Sequence, residues 1–427
     1  MRIKFKGALI LTMDEKRPFI EDGCVVVEGE KIAYCGKDEA GPCDEEVDVS
    51  GDILMPGLIN CHAHLAMSLF RGTAESSNLK EWLYNKVFPM EKRLTCDDVF
   101  WGTMLAIAEC ARGGITTVAD TYFFNEAAAE AAGISGMGLV LMGADMDIEG
   151  NTQAVLEKVR RDYERYGAMG IKYIPGCHSV YTCSQRLIEG IADFACQVKS
   201  KTYIHLSETL EEVGECANEH GGLTPPQYLH KCGFFDYGGI AAHCVHVDKD
   251  DILLLKQQGV YPVHCPASNL KLGSGIAPVY SMLYHGLEVA LGTDSSASNN
   301  RLDMFREMYL ASVLQKGSMN RADAVSELEA LRMATVNGAK ALGLKTGMIK
   351  EGYDSDIIRV SAKGPDFKPK NTNVAGQLVY AASSHDVVMT MCKGKVLYED
   401  GNFHIGIDTD RIYSECDSRI NRLLKSI

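Results

Sequence analysis

The sequence predicts an α/β protein: a distorted (β/α)8 barrel of the TIM type, joined to a small β-sandwich-like domain that both chain ends form. Two observations predict the barrel. From Pro56 onward, short apolar runs alternate with longer helical stretches, which is typical of parallel βα units. Of eight such runs, five end on a His and two on an Asp, and a barrel enzyme needs polar residues at the carboxyl ends of its strands.

The small domain is predicted from the texture that the two chain ends share. Residues 1–56 contain short apolar or alternating runs broken by Gly and charged turns, at 8–12, 23–27, 31–34 and 53–55. Such runs are typical of strands without a long helix. The same texture returns over residues 346–427, at 356–360, 387–391 and 395–397, before a helical stretch at 411–424. We therefore predict one β domain built from 1–56 and 346–427, with a C-terminal helix.

The barrel is predicted over residues 57–345. Its eight strand-like runs are 58–64, 115–120, 138–144, 171–178, 202–205, 239–243, 260–264 and 289–294. An open doubly wound sheet would also alternate strands and helices, but it rarely collects ionisable residues at the end of nearly every strand. After the eighth run, residues 322–342 place Val325, Leu328 and Leu331 on one face, which predicts a continuous helix.

Composition narrows the classes of partner. The 427 residues include 43 basic and 57 acidic side chains, for a formal net charge of −14, and this disfavours binding to nucleic acids or anionic membranes. The fifteen cysteines are scattered, with no CxxC pair, and are interpreted as reduced thiols of a cytoplasmic protein. No apolar run reaches membrane-spanning length, and the first residues are typical of a strand rather than of a signal peptide.

The strongest chemical signal is PGLINCHAH at 56–64. Residues i and i+2 of a strand point the same way, so His62 and His64 present two imidazoles to one point, as a Zn²⁺ site requires. Three further strand ends carry ionisable groups: His205 with Glu208 three residues later, His243, and Asp294. Each alone is more often a buried core histidine or a helix cap, but four such ends in barrel order favour a metal site with a proton shuttle.

These motifs resemble the amidohydrolase superfamily, in particular the branch of 5-methylthioadenosine/S-adenosylhomocysteine deaminases. The resemblance runs from end to end of the chain. It is carried by PGLINCHAHLAMSLFRG (56–72), EWLYNKVFPMEKRL (81–94), CHSVYTCS (177–184), HLSET (205–209), AAHCVHVDKDD (241–251), HCPASNLKLGSGIAP (264–278), GTDSSASNN (292–300) and GMIKEGYDSDII (347–358).

The resemblance implies one divalent metal per subunit, usually zinc and sometimes iron, on the ligands His62, His64, His205 and Asp294. Members with two metals bridge them with a lysine at the end of strand four, where this chain has His178, so a mononuclear site is expected. Glu208 matches the residue that protonates the substrate ring. His243, together with Asp294, matches the pair that orients and deprotonates water.

Substrate contacts are implied at Trp82, Glu91 and His178. From the residues alone, Trp82 could equally be a core aromatic and Glu91 a solvated helix charge. His264 also ends a strand, and we assign it no role. Relatives that act on charged adenosine derivatives carry arginines after strand three, whereas residues 142–150 here are acidic and contain no Arg.

The acidic segment after strand three suggests a preference for an uncharged substrate. Asp145, Asp147 and Glu149 would repel a substrate carboxylate, unless Arg71, Arg112 or Arg161 reached the site from another loop.

The function predicted is release of ammonia from a purine-type ring, most readily an adenosine derivative such as 5-methylthioadenosine or adenosine. Another aminated ring (guanine, a pterin, a cytosine or a triazine) would use the same mechanism. A non-enzymatic binding protein on a degenerate barrel is the remote alternative, and the presence of all the ligand positions argues against it. Relatives are commonly homo-oligomers, so we expect one here.

Overall fold

The computed structural model describes residues 1–37, 41–73, 75–148, 150–369 and 373–425. Within these ranges the strands belong to three sheets. The strands are β1 Arg2–Leu11, β2 Phe19–Glu28, β3 Lys31–Gly36, β4 Glu45–Asp48, β5 Asp52–Pro56, β6 Leu58–Ala63, β7 Ile115–Asp120, β8 Gly138–Met142, β9 Lys172–Ile174, β10 Thr202–Leu206, β11 Gly239–His243, β12 Val260–His264, β13 Ala290–Leu291, β14 Ile357–Ser361, β15 Val387–Cys392, β16 Lys395–Glu399 and β17 Asn402–Phe403.

One nine-stranded sheet contains strands from both ends of the chain. Strands β1–β5 join β14–β17 through an antiparallel pairing of β5 with β14, in which Pro56 lies opposite Ile357. Apolar side chains from both segments, including Phe5, Ile10 and Met391, form a common buried cluster. The short apolar runs that both chain ends contain therefore correspond to strands of one sheet.

The eight central strands are parallel and lie in two four-stranded sheets, β6–β9 and β10–β13. Backbone hydrogen bonds connect the sheets at both edges. Tyr203 N donates to Pro175 O beside β9, and Asp294 N donates to His62 O beside β6. Each of the eight runs predicted from the sequence overlaps one of these strands, and seven contain the whole strand. Parallel strands bring their carboxyl ends to the same side, so the polar residues that follow them meet there.

The helices are α1 Leu79–Trp82, α2 Phe88–Glu91, α3 Cys96–Arg112, α4 Asn125–Ser135, α5 Thr152–Ala168, α6 Gln185–Val198, α7 Leu210–Glu219, α8 Pro225–Lys231, α9 Lys249–Gln257, α10 Pro266–Lys271, α11 Val279–Tyr284, α12 Met304–Met319, α13 Glu327–Met333, α14 Val336–Leu342, α15 Val374–Tyr380 and α16 Thr409–Leu424. The C-terminal helix α16 corresponds to the predicted 411–424 stretch and packs on α3, where Arg422 pairs with Asp98.

The continuous helix predicted at 322–342 is wrong, because the chain forms α13 and α14 instead. Helix α13 begins only after Ser326, whose side chain and that of Glu329 form a capping box. Thr335 interrupts the helical path with φ −134° and ψ −89°, and its hydroxyl donates to Leu331 O. A buried threonine that bonds the preceding turn offers the backbone an alternative to continuing the helix.

A short helical segment between β6 and α3 carries two of the residues discussed below. Helix α1, a π-helical turn at Leu83–Val87, and α2 follow one another, beginning at Asn78, whose side chain accepts from Glu81 N. The segment places Trp82 and Glu91 over the carboxyl ends of the central strands. Lys80 pairs with Glu211 at the start of α7, and this ion pair links the segment to the helix that follows β10.

The fifteen cysteines of the sequence are all free thiols. None of the helices in the described ranges combines the length and the apolarity that crossing a bilayer would require.

Candidate metal centre and active site

Three imidazoles converge at the carboxyl ends of β6 and β10, and their outer hydrogen bonds set their tautomers. His205 Nδ1 lies 2.7 Å from His178 O, and His64 Nδ1 contacts Thr121 O. A carbonyl oxygen only accepts, so both Nδ1 atoms carry the proton and both Nε2 atoms keep a lone pair. His62 Nδ1 lies 3.0 Å from the Tyr203 hydroxyl.

Asp294 completes this group from the loop after β13. Its Oδ1 lies 3.4 Å from His62 Nε2 and 3.2 Å from His64 Nε2. Its Oδ2 accepts from Ser268 Oγ at 2.5 Å and from Ser298 Oγ at 2.8 Å. The two hydroxyls orient the carboxylate, so that one oxygen faces the histidines and the other is held by donors.

These atoms fit a divalent metal. Candidate ligand atoms of His62, His64 and His205 lie within 4.8 Å of one another, and so do those of His62, His243 and Asp294. The buried His62 Nε2 makes no hydrogen bond within the described part of the chain. Burial lowers the pKa of His62 to about 4 and that of His205 well below its usual value, so both rings are neutral as metal ligands must be. Neutral imidazoles with one carboxylate are a ligand set that zinc accepts.

Glu208 lies beside this group with the properties of a general acid. Its Oε2 is 3.8 Å from His243 Nε2, and its Oε1 accepts from Ser274 Oγ at 3.2 Å. Burial raises the pKa of Glu208, which favours the protonated form. The loop that carries it is held by Glu212, whose carboxylate accepts from the backbone N–H groups of Ser207 at 2.9 Å and of Glu208 at 2.7 Å.

His243 is oriented as a base. Its Nδ1 lies 2.8 Å from Asn269 Oδ1, so Nδ1 donates and Nε2 carries the free lone pair. The Nε2 atom faces Glu208. Residue 243 has φ +72°, a left-handed backbone conformation that costs a non-glycine residue energy and that is found most often at functional positions.

The group opens into a cavity of about 420 Å³. Trp82, Glu91 and His178, the three expected substrate contacts, all line it, as do His64, His205, Glu208, His243 and Asp294. Burial raises the pKa of Glu91, and the indole N–H of Trp82 has no hydrogen-bond partner within the described residues. A volume of this size suits a small organic ligand. His264 is buried but does not line the cavity.

Several polar contacts of the site escaped the sequence analysis. Ser268 and Asn269 lie inside the HCPASNLKL motif and Ser298 inside GTDSSASNN, so the motifs contained them without indicating which atoms they contact. Tyr203 lies two residues before His205 on the same face of β10, and its hydroxyl contacts both His62 and His205. The strand period of two was the available signal for Tyr203.

The chain is similar to known hydrolases over its whole length. A model of the Amidohydrolase family matches residues 53–397. A 5-methylthioadenosine/S-adenosylhomocysteine deaminase of Thermoanaerobacter pseudethanolicus is 37% identical over 436 residues, covering 100% of both chains. A 5'-deoxyadenosine deaminase of Methanosarcina mazei is 39% identical over 430 residues, covering 100% of this chain and 99% of the other. A solved adenosine deaminase of Xanthomonas campestris with bound zinc superposes with a TM-score of 0.91 at 29% identity, covering 99% of this chain and 98% of the other.

Proposed function

The chain belongs to the amidohydrolase family, and from that premise we propose that it hydrolytically deaminates an adenosine derivative in a metal-dependent reaction. The observation that carries the proposal is the convergence of three imidazoles and Asp294 next to the buried pair of Glu208 and His243. The similarity to deaminases of 5-methylthioadenosine, 5'-deoxyadenosine and adenosine supports a purine nucleoside as the substrate.

We propose that His62, His64, His205 and Asp294 hold one divalent ion, most simply zinc, with iron as the alternative. The lone pairs on Nε2 and the Asp294 Oδ1 atom support this assignment. When bound, the ion supplies a water whose pKa is lowered towards about 7, so that a nucleophile is available at neutral pH.

Two side chains of the cavity then move the protons. His243 Nε2, with Asp294, takes a proton from the attacking water, since the hydrogen bond between Nδ1 and Asn269 Oδ1 orients the ring with Nε2 towards the cavity. Glu208 delivers its proton to the ring nitrogen next to the reacting carbon, so that negative charge does not accumulate there. The proton held by His243 or Asp294 passes to the exocyclic amine, which leaves as ammonia, while the added hydroxyl returns a proton to Glu208 and becomes the carbonyl of the product. Acid–base steps of this kind contribute roughly 10²–10⁴ each to the rate.

Trp82, Glu91 and His178 are proposed to bind the rest of the nucleoside. Their places on the cavity wall support this assignment. Burial lowers the pKa of His178 to about 3, so the ring is neutral and contacts substrate by hydrogen bonding rather than by charge.

We propose that residues 57–345 form the (β/α)8 barrel that carries this site, and that 1–56 with 346–427 form the second domain. The hydrogen bonds that connect β9 with β10 and β13 with β6 support barrel closure. The free thiols support a reducing compartment such as the cytoplasm.

The test is ammonia release by the zinc-loaded protein from adenosine, 5'-deoxyadenosine and 5-methylthioadenosine, with guanine, a pterin, cytosine and an aminotriazine as contrasting substrates. Turnover of at least one nucleoside above all four contrasting rings is expected. Preference for a ring without a ribose would overturn the substrate assignment, and no ammonia from any compound would overturn the function. His205→Ala should lose both bound metal and turnover, and two tightly bound metals per chain would contradict the single-ion site.

A further inference from the structure

We propose that Asp145, Lys158 and Asp162 form a charge-selective cluster in the cavity wall, which favours adenosine derivatives whose 5′ substituent carries no negative charge. The inference rests on the proposed function and names the substrate class of the same site. The three residues lie after β8 and in α5, and all three line the cavity together with the candidate metal ligands.

The cluster contains one cation, Lys158, and its two carboxylates already neutralise the charge that a substrate carboxylate would need. Lys158 Nζ lies 3.0 Å from Asp145 Oδ1 and 3.0 Å from Asp162 Oδ2, so one ammonium is shared by two carboxylates. Among the described residues that line the cavity, Lys158 is the only lysine or arginine. The carboxylates that line it are Glu91, Glu126, Asp145, Asp162, Glu208 and Asp294.

The arginines that could have supplied a second cation do not line the cavity. Arg71, the first of them, is held by Glu109 and by Asn300 O instead. Arg112 and Arg161 are likewise absent from the part of the wall that the structure describes. The sequence predicted that the segment after strand three repels a substrate carboxylate. The structure allows this repulsion to be assigned to specific atoms.

That set differs from the acidic segment predicted from the sequence. Asp147 does not face a substrate, because its carboxylate accepts from Ser184 N, Ser184 Oγ and Thr152 Oγ1 and so binds two helix starts together. Glu149 lies outside the described residues. Of Asp145 and Asp147, the two that the structure describes, only Asp145 lines the cavity, and Lys158 and Asp162 from α5 join it.

The backbone fixes Asp145 next to an expected substrate contact. Asp145 O accepts from His178 N at 3.1 Å and from Cys183 Sγ at 3.2 Å. Asp145 and His178 are therefore neighbours in the cavity wall. If the purine carbon reacts beside Glu208 and Asp294 and the nucleoside contacts His178 as proposed, its 5′ group extends towards this part of the wall.

A carboxylate on that 5′ group would be poorly stabilised. The side chains of Asp145 and Asp162 are 12% and 14% exposed, so an incoming anion would lose water next to two negative charges. The single ammonium is already paired, and a bidentate arginine contact is not offered. A neutral methylthio, hydroxyl or methyl group meets none of these costs. Specificity here arises from repulsion of the wrong substrate.

The experiment compares kcat/KM for 5-methylthioadenosine, S-adenosylhomocysteine and 5′-(3-aminopropylthio)adenosine, which keeps the ammonium of the amino-acid tail and lacks its carboxylate. The three nucleosides are tested with the zinc-loaded wild type, with Asp145→Asn/Asp162→Asn and with Lys158→Met. The wild type is expected to prefer 5-methylthioadenosine by about tenfold or more, since like-charge juxtaposition is strongly disfavoured. The double variant frees Lys158 and should shift the ratio towards S-adenosylhomocysteine by about tenfold. Lys158→Met should shift it further the other way.

Glu126→Gln is the matched control, because it removes one negative charge from the cavity wall without freeing Lys158. It should change the ratio less than the double variant does. Equilibrium binding of 5-methylthioadenosine and S-adenosylhomocysteine to Glu208→Gln protein, with and without the two Asp→Asn changes, reads the same selectivity without turnover.

Two results would overturn the proposal. In the first, the double variant keeps the ratio of the kcat/KM values for 5-methylthioadenosine and S-adenosylhomocysteine, and the ratio of their binding constants, within about twofold of the wild type. In the second, the wild type prefers S-adenosylhomocysteine. In either case ammonia release from 5-methylthioadenosine would leave the proposed function standing. If the wild type releases no ammonia from any of the three nucleosides, the proposed function is contradicted and the cluster's role falls with it.

Discussion

The carboxyl groups of Glu208 and Asp294 lie in the same site, but different surroundings decide whether each one is protonated. Glu208 is buried beside His243, and burial raises its pKa, whereas His62 and His64 hold the pKa of the nearby Asp294 well below its usual value against the effect of burial. Two carboxylates a short distance apart thus have opposite preferences. Such a division supports the proposal that Glu208 donates the proton and that Asp294 binds the metal.

We expect Glu208→Gln to keep the metal and to lose at least about 10² in kcat, because an amide cannot deliver a proton to the ring. Steady-state kinetics with metal analysis checks this. Ser274→Ala is the control, since it removes only the hydrogen bond onto Glu208 Oε1 and leaves the acid in place. Near-normal kcat with a raised KM in Glu208→Gln would show that the residue only binds substrate.

We expect Ser268→Ala/Ser298→Ala to weaken metal binding by about 10–100-fold, the usual cost of removing partners that orient a ligand. Both hydroxyls donate to Asp294 Oδ2, so without them the carboxylate can rotate away from His62 and His64. Competition with a chelator measures the affinity. Ser77→Ala, on the exposed rim, is the control. Unchanged affinity in the double variant would mean that the surrounding packing alone holds Asp294.

At the scale of secondary-structure elements, the start of α7 holds the loop that carries Glu208. Glu212, in the first turn of α7, accepts from two backbone N–H groups of that loop, and Ser207 adopts φ +49° there. A carboxylate at a helix N-terminus is also favoured by the helix dipole. The helix start therefore keeps a strained loop conformation in place.

We expect Glu212→Gln to destabilise the protein by about 1–3 kcal/mol, because one buried N–H loses its acceptor when an amide NH2 replaces an oxygen. The kcat should fall as well, because Glu208 loses its anchoring. Thermal denaturation and kinetics measure both effects. Glu219→Gln, at the exposed end of the same helix, should stay within about 0.5 kcal/mol of the wild type. Equal effects of the two changes would contradict the anchoring role.

At the scale of the whole molecule, the loops after β12 and β13 are joined by a carboxylate without contact to solvent. Glu307 in α12 accepts from Ala267 N at 3.1 Å and from Asn299 Nδ2 at 2.8 Å, and it is fully buried. Burial raises the pKa of Glu307 to about 8. The unfolded chain releases this proton near pH 4.3, so the folded state binds more protons between these two values.

The contribution of Glu307 to the free energy of unfolding should therefore fall as pH rises from about 4.5 through 8, since the folded state must release a proton that the unfolded chain has already lost. We expect the melting temperature of Glu307→Gln to depend less on pH over that window than the wild type's does. The slope decides the outcome, whatever offset the amide introduces. Parallel slopes would show that Glu307 is ionised throughout. Glu327→Gln, in the first turn of α13, is the control.

The sequence by itself determined the α/β class and the positions of the central strands. Three of the eight predicted runs, 115–120, 239–243 and 260–264, agree with β7, β11 and β12 to the residue. Strand identity depends on local alternation and apolarity, which a sequence displays directly. The sequence also predicted that the histidines, Glu208 and Asp294 lie on one side of the barrel. They lie at or just after the ends of parallel strands, and parallel strands all end on the same side.

Only the tertiary structure decided which partners those residues have. Ser268 and Asp294 are distant in the chain, as are His243 and Asn269, and Lys158 meets its carboxylates across a helix and a loop. Asp145 and Asp147 lie in the same acidic segment, and the sequence does not distinguish them. In the structure Asp147 binds the starts of two helices, whereas Asp145 lines the cavity. A pattern of apolar residues specifies which segments pack. The orientation of a polar side chain depends on atoms that only packing brings within hydrogen-bond distance.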